Sequence, residues 1–283
     1  MQNVPFQLKE ANLNIKQLFI TDDQDRYDFY DLDIANAEMR VLCAYSKDET
    51  LIEAFKQGKD LHCLTASGIS GIPYDQIMEN KENKSSEEYK IRSVAKAVNF
   101  LTIYGGGAST LVKNLYSGMR IEIDEATAQG YLDKFFVTYP GVTQYMRDTI
   151  DMVTRFGVTF TFTGHRRHFP SAMYDRSMAN RMGRQAVNAR IQTTSSVLVN
   201  YNMIKLYEAI KKRGWDGRVL LTVHDSIAFQ LNKEIPKGEV KEVLDQVVVK
   251  DVAKEFPWMP VAWAYDCAWG DSYGTCKNEL INS

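Results

Sequence analysis

The sequence predicts an α/β (α+β) protein, with strands drawn from both ends of the chain and a largely helical middle. Three observations carry this expectation. Tyr27-Asp-Phe-Tyr-Asp-Leu-Asp33-Ile34 alternates aromatic or aliphatic residues with aspartates, the period of a half-buried strand. Near the other end, Arg218–Val223 and Ser226–Leu231 are two strand-like runs joined by a tight turn that holds His224 and Asp225. Between them, apolar residues recur every three or four positions over most of residues 37–155 and again over 176–212, the spacing of helices that bury one face.

Taken in order, Leu13–Ile20 reads as a first strand and Arg26–Ile34 as a second, around the acidic turn Asp22-Asp23-Gln24-Asp25. From Ala37 the period becomes helical, and Asp60 precedes the next helix as an N-cap. Ile72-Pro73 opens a loop and a short helix. Residues 79–88 are too polar to bury and read as a mobile surface insertion. Helices follow over Arg92–Tyr104, Leu111–Tyr116, Asp124–Phe136 and Val142–Arg155, with Pro140-Gly141 separating the last two. Val158–Gly164 alternates strictly, as a hairpin strand does, and leads into Gly164-His165-Arg166-Arg167-His168-Phe169-Pro170. A long helix spans Arg176–Lys212, with Arg184, Asn188, Gln192 and Ser195 in one row. After the paired strands come a helix over Lys237–Glu255 and a strand over Val261–Trp269.

With 283 residues, 45% hydrophobic and 25% charged, the chain can bury a full core. No apolar run reaches the roughly 20 residues of a membrane span, and the N-terminus lacks a signal-peptide layout, so a cytoplasmic setting without a membrane partner is expected. Cys43, Cys63, Cys267 and Cys276 form no CxxC pair and are expected to be reduced. The net charge of −2 argues against a nucleic-acid partner, but its distribution argues for one. Residues 1–60 hold 7 Lys+Arg and 12 Asp+Glu, a net of −5; residues 147–213 hold 12 and 4, a net of +8. One region could gather carboxylates around metal ions while another grips phosphates.

The chemistry centres on Arg92-Ser-Val-Ala-Lys96-Ala-Val-Asn99-Phe100-Leu-Thr-Ile-Tyr104-Gly105-Gly-Gly107. On a helix, Arg92, Lys96, Asn99, Phe100 and Tyr104 share one side and Val94, Ala97, Val98 and Leu101 the other. Two cations one turn apart, two aromatics and a glycine stop suit a surface that holds a polyphosphate and stacks a flat ring. Taken alone, Arg92 and Lys96 equally fit an ordinary amphipathic helix with a solvated basic face. Aspartates at strand ends, Asp33 and Asp225, are what a pair of magnesium ions requires, since the hard ion prefers carboxylate oxygens and bridges to substrate phosphates. His165 and His168 flank two arginines with no acidic or thiol ligand nearby, which favours phosphate contacts or bystanders over metal binding.

Six motifs in order resemble those of family A (polymerase I type) DNA polymerases, with a phage-like flavour, and cover almost the whole chain. Asp33-Ile-Ala-Asn36-Ala-Glu38-Met-Arg40-Val-Leu is similar to the family's DYSQIELRVL. Arg92-x3-Lys96-x3-Phe100-x3-Tyr104-Gly105 matches its second motif, and Val223-His224-Asp225 resembles VHDE. Asp60-Leu-His62 resembles DIHT, Thr163–Pro170 resembles FGRRRYLP, and Arg184-x3-Asn188-x3-Gln192 resembles RxxxNxxxQ.

The resemblance implies a right-hand polymerase with an antiparallel palm sheet and helical fingers, divided as palm 1–60, fingers 61–180 and palm 181–283. It implies that Asp33 and Asp225 bind two Mg2+ ions, with manganese as an alternative and the Ile34 carbonyl as an added ligand. It implies that Arg92, Lys96 and His62 hold the triphosphate, Lys96 also acting in catalysis. Phe100 would pack on the incoming dNTP, Tyr104 would sit near the templating position, and Glu38, with Asn36 nearby, would exclude a ribose 2′-hydroxyl. Arg166, Arg167, Arg184, Asn188, Gln192 and His224 would contact primer-template DNA.

The chain departs from the pattern at Ser226, where the family has Glu and the related single-subunit RNA polymerases have His-Asp-Ser. An RNA-polymerase-like enzyme and a catalytically inactive nucleic-acid-binding subunit are therefore the alternatives. The family places a thumb, and usually a nuclease domain, ahead of the segment that begins near Leu13. The expectation is a split or truncated polymerase whose thumb, and with it an exonuclease, comes from a second polypeptide.

Overall fold

The computed structural model describes residues 15–280, leaving aside the side chains of Arg176 and Ser177. A 3-10 turn at Ile15–Leu18 precedes β1 (Tyr27–Ile34), α1 (Ala37–Ser46), α2 (Glu49–Lys56), α3 (Leu61–Ser70), α4 (Tyr74–Asn80) and α5 (Glu87–Ile103). Then come α6 (Ala108–Met119), α7 (Glu125–Thr138), α8 (Pro140–Phe156), β2 (Val158–Phe160), β3 (Arg166–His168), α9 (Ser171–Tyr174) and α10 (Arg176–Lys212). The chain closes with β4 (Gly217–Val223), β5 (Ser226–Asn232), α11 (Lys237–Leu244), a π-helical stretch (Asp245–Lys250), α12 (Asp251–Glu255), β6 (Tyr265–Gly270) and β7 (Asn278–Leu280). It divides into two compact units, residues 1–37 with 195–283 and residues 38–194, the boundaries falling inside α1 and α10.

The first unit is built on a sheet ordered β4-β5-β1-β6-β7, in which every neighbouring pair is antiparallel. β1 is its centre because Phe29, Tyr30, Leu32 and Ile34 are fully buried. Leaving any of these in water would forfeit roughly 1.5–3 kcal/mol. Trp263 donates its Nε1–H to Asn202 Oδ1 at 2.9 Å, and Asn202 donates to the Val247 carbonyl at 3.0 Å, which ties the end of α10 to the π-helical stretch. The predicted strand at Leu13–Ile20 is corrected. Leu13 and Asn14 lie outside the described residues, Ile15–Leu18 is a 3-10 turn, and Ile20 makes a single bridge to Ser272. The outer edge of β6 is already taken by β7. The strand expected over Val261–Trp269 begins later, at Tyr265.

The second unit is helical apart from the β2–β3 hairpin. α5 buries Val94, Ala95, Val98, Asn99, Leu101, Thr102 and Ile103. Residues 79–88 stay at the surface, their two ends belonging to helices. α4 runs to Asn80, a short turn follows, and Ser86 caps α5 by accepting from Tyr89 N at 3.0 Å, worth about 1 kcal/mol. Gly105 has φ +67°, and a Cβ there would stand 2.6 Å from Arg184 Cβ, so only glycine lets α5 end against α10. β2 stops at Phe160, short of the alternation that predicted it, because Phe162 turns to stack on Tyr45, ring centroids 4.4 Å apart, and takes its hydroxyl as a backbone acceptor.

Candidate active site

In the first unit the sheet gathers carboxylates. Asp33 lies opposite Ser226 on β5 and Asp266 on β6, and Asp31, two residues earlier, shares its face. Asp225 occupies the two-residue turn between β4 and β5, and its carbonyl accepts from Ile34 N at 3.0 Å, which fixes the turn to the end of β1. His224, just before it, has φ 58°, a conformation few non-glycine residues adopt. Ser226 donates its hydroxyl to Asp31. Asn36 takes φ 53° in the turn from β1 to α1 and is exposed.

Desolvation by the sheet, then the charges of Asp225, Asp31 and Asp266, push the Asp33 carboxyl up to about 7. Asp31 is also raised, desolvation again leading. Among the described residues no three His, Cys, Asp or Glu groups form a ready-made metal cage. The donor set nevertheless fits a hard divalent cation: clustered carboxylate oxygens whose mutual repulsion a cation would relieve, with no soft ligand among them.

In the second unit the outer face of α5 presents Lys96, Phe100 and Tyr104, all exposed. Lys96 makes no ion pair among the described residues. Arg92 does: its Nη2 lies 2.8 Å from Asp60 Oδ2. Asp60 is the predicted N-cap of α3, accepting from His62 N and Cys63 N. Burial alone would raise this carboxyl, but the bonds from Arg92 and the Cys63 N–H outweigh it and hold it low. Tyr104 donates its hydroxyl to Glu38 at 3.1 Å. His62 and Phe100 are neighbours, ring centroids 6.0 Å apart.

Asn99 is a correction to the helix-face reading. It is fully buried and bonds His62 and Thr65 rather than facing outward. The reason is angular: Asn99 sits next to Val98 at the margin of the buried stripe, and the inward hydroxyl of Thr65 gives its amide a partner. Ser195, placed in the row with Arg184, Asn188 and Gln192, is likewise buried. Arg184 and Gln192 are exposed, while Asn188 Oδ1 is buried without a hydrogen-bond partner among the described residues. Arg166 and Arg167 are exposed on β3.

Burial chiefly lowers the His62 imidazole to about 4, with Asp60 opposing the shift and Arg92 and Lys96 adding to it. An unfolded histidine titrates near 6.5, so between about 4 and 6.5 the unfolded chain holds a proton that the folded chain refuses. The contribution of His62 to stability should therefore fall as pH drops through that window. Chemical denaturation of wild type and His62→Gln across it should differ by this fall, which the variant loses; an identical pH dependence in the two would contradict the assignment.

With the geometry in view, the comparisons decide the family. The model of DNA polymerase family A matches residues 1–275. The chain belongs to this family. It is 30% identical over 279 residues to DNA polymerase I of Bacillus caldotenax, covering 96% of this chain and 29% of that protein. DNA polymerase I of Chloroflexus aurantiacus is 32% identical over 241 residues, 85% of this chain and 23% of that protein. The chain thus spans about a quarter of the length of these curated relatives. A solved structure, the POL domain of Pol1 from M. smegmatis in complex with DNA primer-template and dNTP, matches 98% of this family A chain and 45% of its own chain, with 28% identity and a TM-score of 0.78.

Proposed function

We propose that the chain is the palm and fingers part of a template-directed DNA polymerase, adding a deoxynucleotide to a primer 3′-hydroxyl. The observation that carries this reading is the pairing of Asp33 and Asp225 at the meeting of β1 and the β4–β5 turn, in a family A chain that also presents Arg92, Lys96, Phe100 and Tyr104 on α5. Asp33, Asp225 and the Ile34 main chain would hold the divalent ions. Such ions, Mg2+ in the first instance, supply activation of the attacking oxygen and stabilisation of the leaving one.

The protein's own groups do the rest. Lys96, Arg92 and His62 bind the triphosphate, the two cations offsetting its charge. Arg92 keeps more than one N–H donor, so its bond to Asp60 fixes the guanidinium without exhausting it. Phe100 offers a flat face to the nucleotide, and Arg166, Arg167, Arg184, Asn188, Gln192 and His224 hold primer-template DNA. The palm would span 1–60 and 181–283 and the fingers 61–180. The comparisons lend no support to a second polypeptide, and the proposal does not depend on one. Among the described residues no helix is long and apolar enough to cross a membrane.

Glu38, held by Tyr104, would exclude the ribose hydroxyl, with Asn36 beside it in sequence. Ser226 is the single observation on the side of the RNA-polymerase reading, and its hydroxyl is engaged with Asp31. Primer extension with dNTPs against rNTPs decides. Extension with dNTPs is expected, and Glu38→Ala should raise ribonucleotide incorporation about tenfold or more, one lost discriminating contact being worth 1–3 kcal/mol. Extension from rNTPs alone would overturn the DNA reading, and unchanged sugar selectivity in the variant would remove Glu38 from the role.

A further inference from the structure

Behind His62 lies a line of buried polar groups that phosphate binding alone does not require. Asn99 and Tyr139 are fully buried and Thr65 is nearly so, on α5, the α7–α8 junction and α3 respectively. Asn99 Nδ2 is 2.9 Å from His62 Nδ1, Thr65 Oγ1 donates to Asn99 Oδ1 at 2.9 Å, and Thr65 Oγ1 lies 2.9 Å from the Tyr139 hydroxyl oxygen. All four residues belong to one unit.

We propose that Asn99, backed by Thr65 and Tyr139, is a positioning residue that fixes His62 as the Nε2–H tautomer, so that a neutral N–H donor is presented to a phosphate oxygen of the incoming nucleotide. The inference rests on the reading of His62 as a triphosphate contact. Its direction follows from counting protons. The Thr65 hydroxyl has one proton, and if Asn99 Oδ1 takes it, Tyr139 must donate to Thr65. Tyr139 can do so because burial keeps its phenol protonated, its pKa pushed up to about 12. Asn99 then offers its amide N–H to His62 Nδ1, and an imidazole nitrogen that accepts cannot carry a proton. The one proton of the neutral ring is left on Nε2.

The reverse order would have His62 Nδ1–H donate to Asn99, the amide to Thr65, and Thr65 to Tyr139. The Tyr139 proton would then be buried with no second partner among the described residues. That arrangement carries a desolvation penalty which the forward order avoids. It would also aim a lone pair, rather than a donor, at an anionic ligand. The charged groups around the ring are Asp60, Arg92 and Lys96. Burial of the ring disfavours an imidazolium most; Asp60 favours one and the two cations oppose it, so the ring works as a neutral donor while Arg92 and Lys96 carry the charge.

The test is the long-range 1H–15N imidazole spectrum of the full 15N-labelled chain, with His62 assigned through His62→Gln. The Nε2–H tautomer is expected across about pH 6–8, where an ordinary histidine changes charge. Asn99→Asp keeps the shape but places an acceptor against Nδ1, so His62 should gain an Nδ1 proton. Tyr139→Phe should give mixed tautomers, and thermal midpoints show whether either variant is folded. The apparent affinity for dNTP should weaken roughly tenfold or more in Asn99→Asp, the scale on which partners of a binding group act. Asn99→Gln should restore part of the affinity if it restores the tautomer.

A wild-type Nδ1–H tautomer, or an Asn99→Asp spectrum identical to wild type, overturns the proposal. Adding dNTP should shift the His62 Nε2 resonance. If the tautomer is as stated but dNTP leaves that resonance in place, the phosphate reading fails, and with it the purpose assigned to Asn99, while the hydrogen-bond chain stands.

Discussion

Asp225→Asn is expected to abolish primer extension, lowering the rate by at least about 10²–10³-fold, the loss that follows removal of one group stabilising transition-state charge. The substitution is close to isosteric, and the turn that carries Asp225 is held by its backbone carbonyl on Ile34 N, which the variant keeps. Loss of activity can therefore be read as loss of a carboxylate rather than of the fold. A second readout does not depend on activity. The Asp33 carboxyl is pushed up to about 7, first by desolvation and then by the charges of Asp225, Asp31 and Asp266. Removing the Asp225 charge should bring that value down, as 13C-carboxyl NMR of the metal-free protein can follow. The sign for stability is fixed by the same shift. The folded-state value lies above the unfolded one, so from about 4 to 7 the folded chain holds a proton that the unfolded chain has lost. The Asp33 contribution to the stability of the metal-free protein should fall as pH rises through that window, opposite in sign to that of His62, and less steeply in Asp225→Asn. Normal extension by the variant, or an unmoved Asp33, would remove Asp225 from the site.

The largest effect on stability is expected at Trp263. It is almost fully buried, and its indole N–H satisfies Asn202, which in turn holds the Val247 carbonyl. Trp263→Ala should cost about 3–5 kcal/mol through the cavity alone, and it also leaves the buried Asn202 oxygen without its donor. Trp263→Phe keeps most of the packing and loses the bond, so about 1–3 kcal/mol is expected. Denaturant titration should rank the two in that order. Equal losses would mean that the hydrogen bond, and not the volume, is what matters there.

Much of the site was legible in the sequence because its elements are local. Asp60 as a cap, the helix from Arg176 to Lys212, and the strand pair around His224 and Asp225 are set by residues within a few positions of one another, where backbone geometry alone dictates the outcome. The misses have a common cause. Leu13–Ile20 is apolar enough to read as a strand, but whether such a run becomes one depends on a partner edge, and the place beside β6 is taken by β7. Asn99 reads as part of a polar face, yet a polar group can turn inward if a distant partner meets it, and Thr65 does. Asp31 and Asp266 went unmarked beside Asp33. Period-2 parity could have flagged Asp31; Asp266 could be found only from the β1–β6 register.

The sequence by itself determined the family and the order of the elements, and it nominated the groups proposed to carry the chemistry, since these reside in residue types at fixed spacing. The tertiary structure decided which of them are coupled: Asp33 with Asp31 and Asp266, Arg92 with Asp60, and His62 with Asn99, Thr65 and Tyr139. Desolvation and hydrogen-bond direction set the charge and tautomer of those groups. Both depend on neighbours that are far away along the chain and close together only once it has folded.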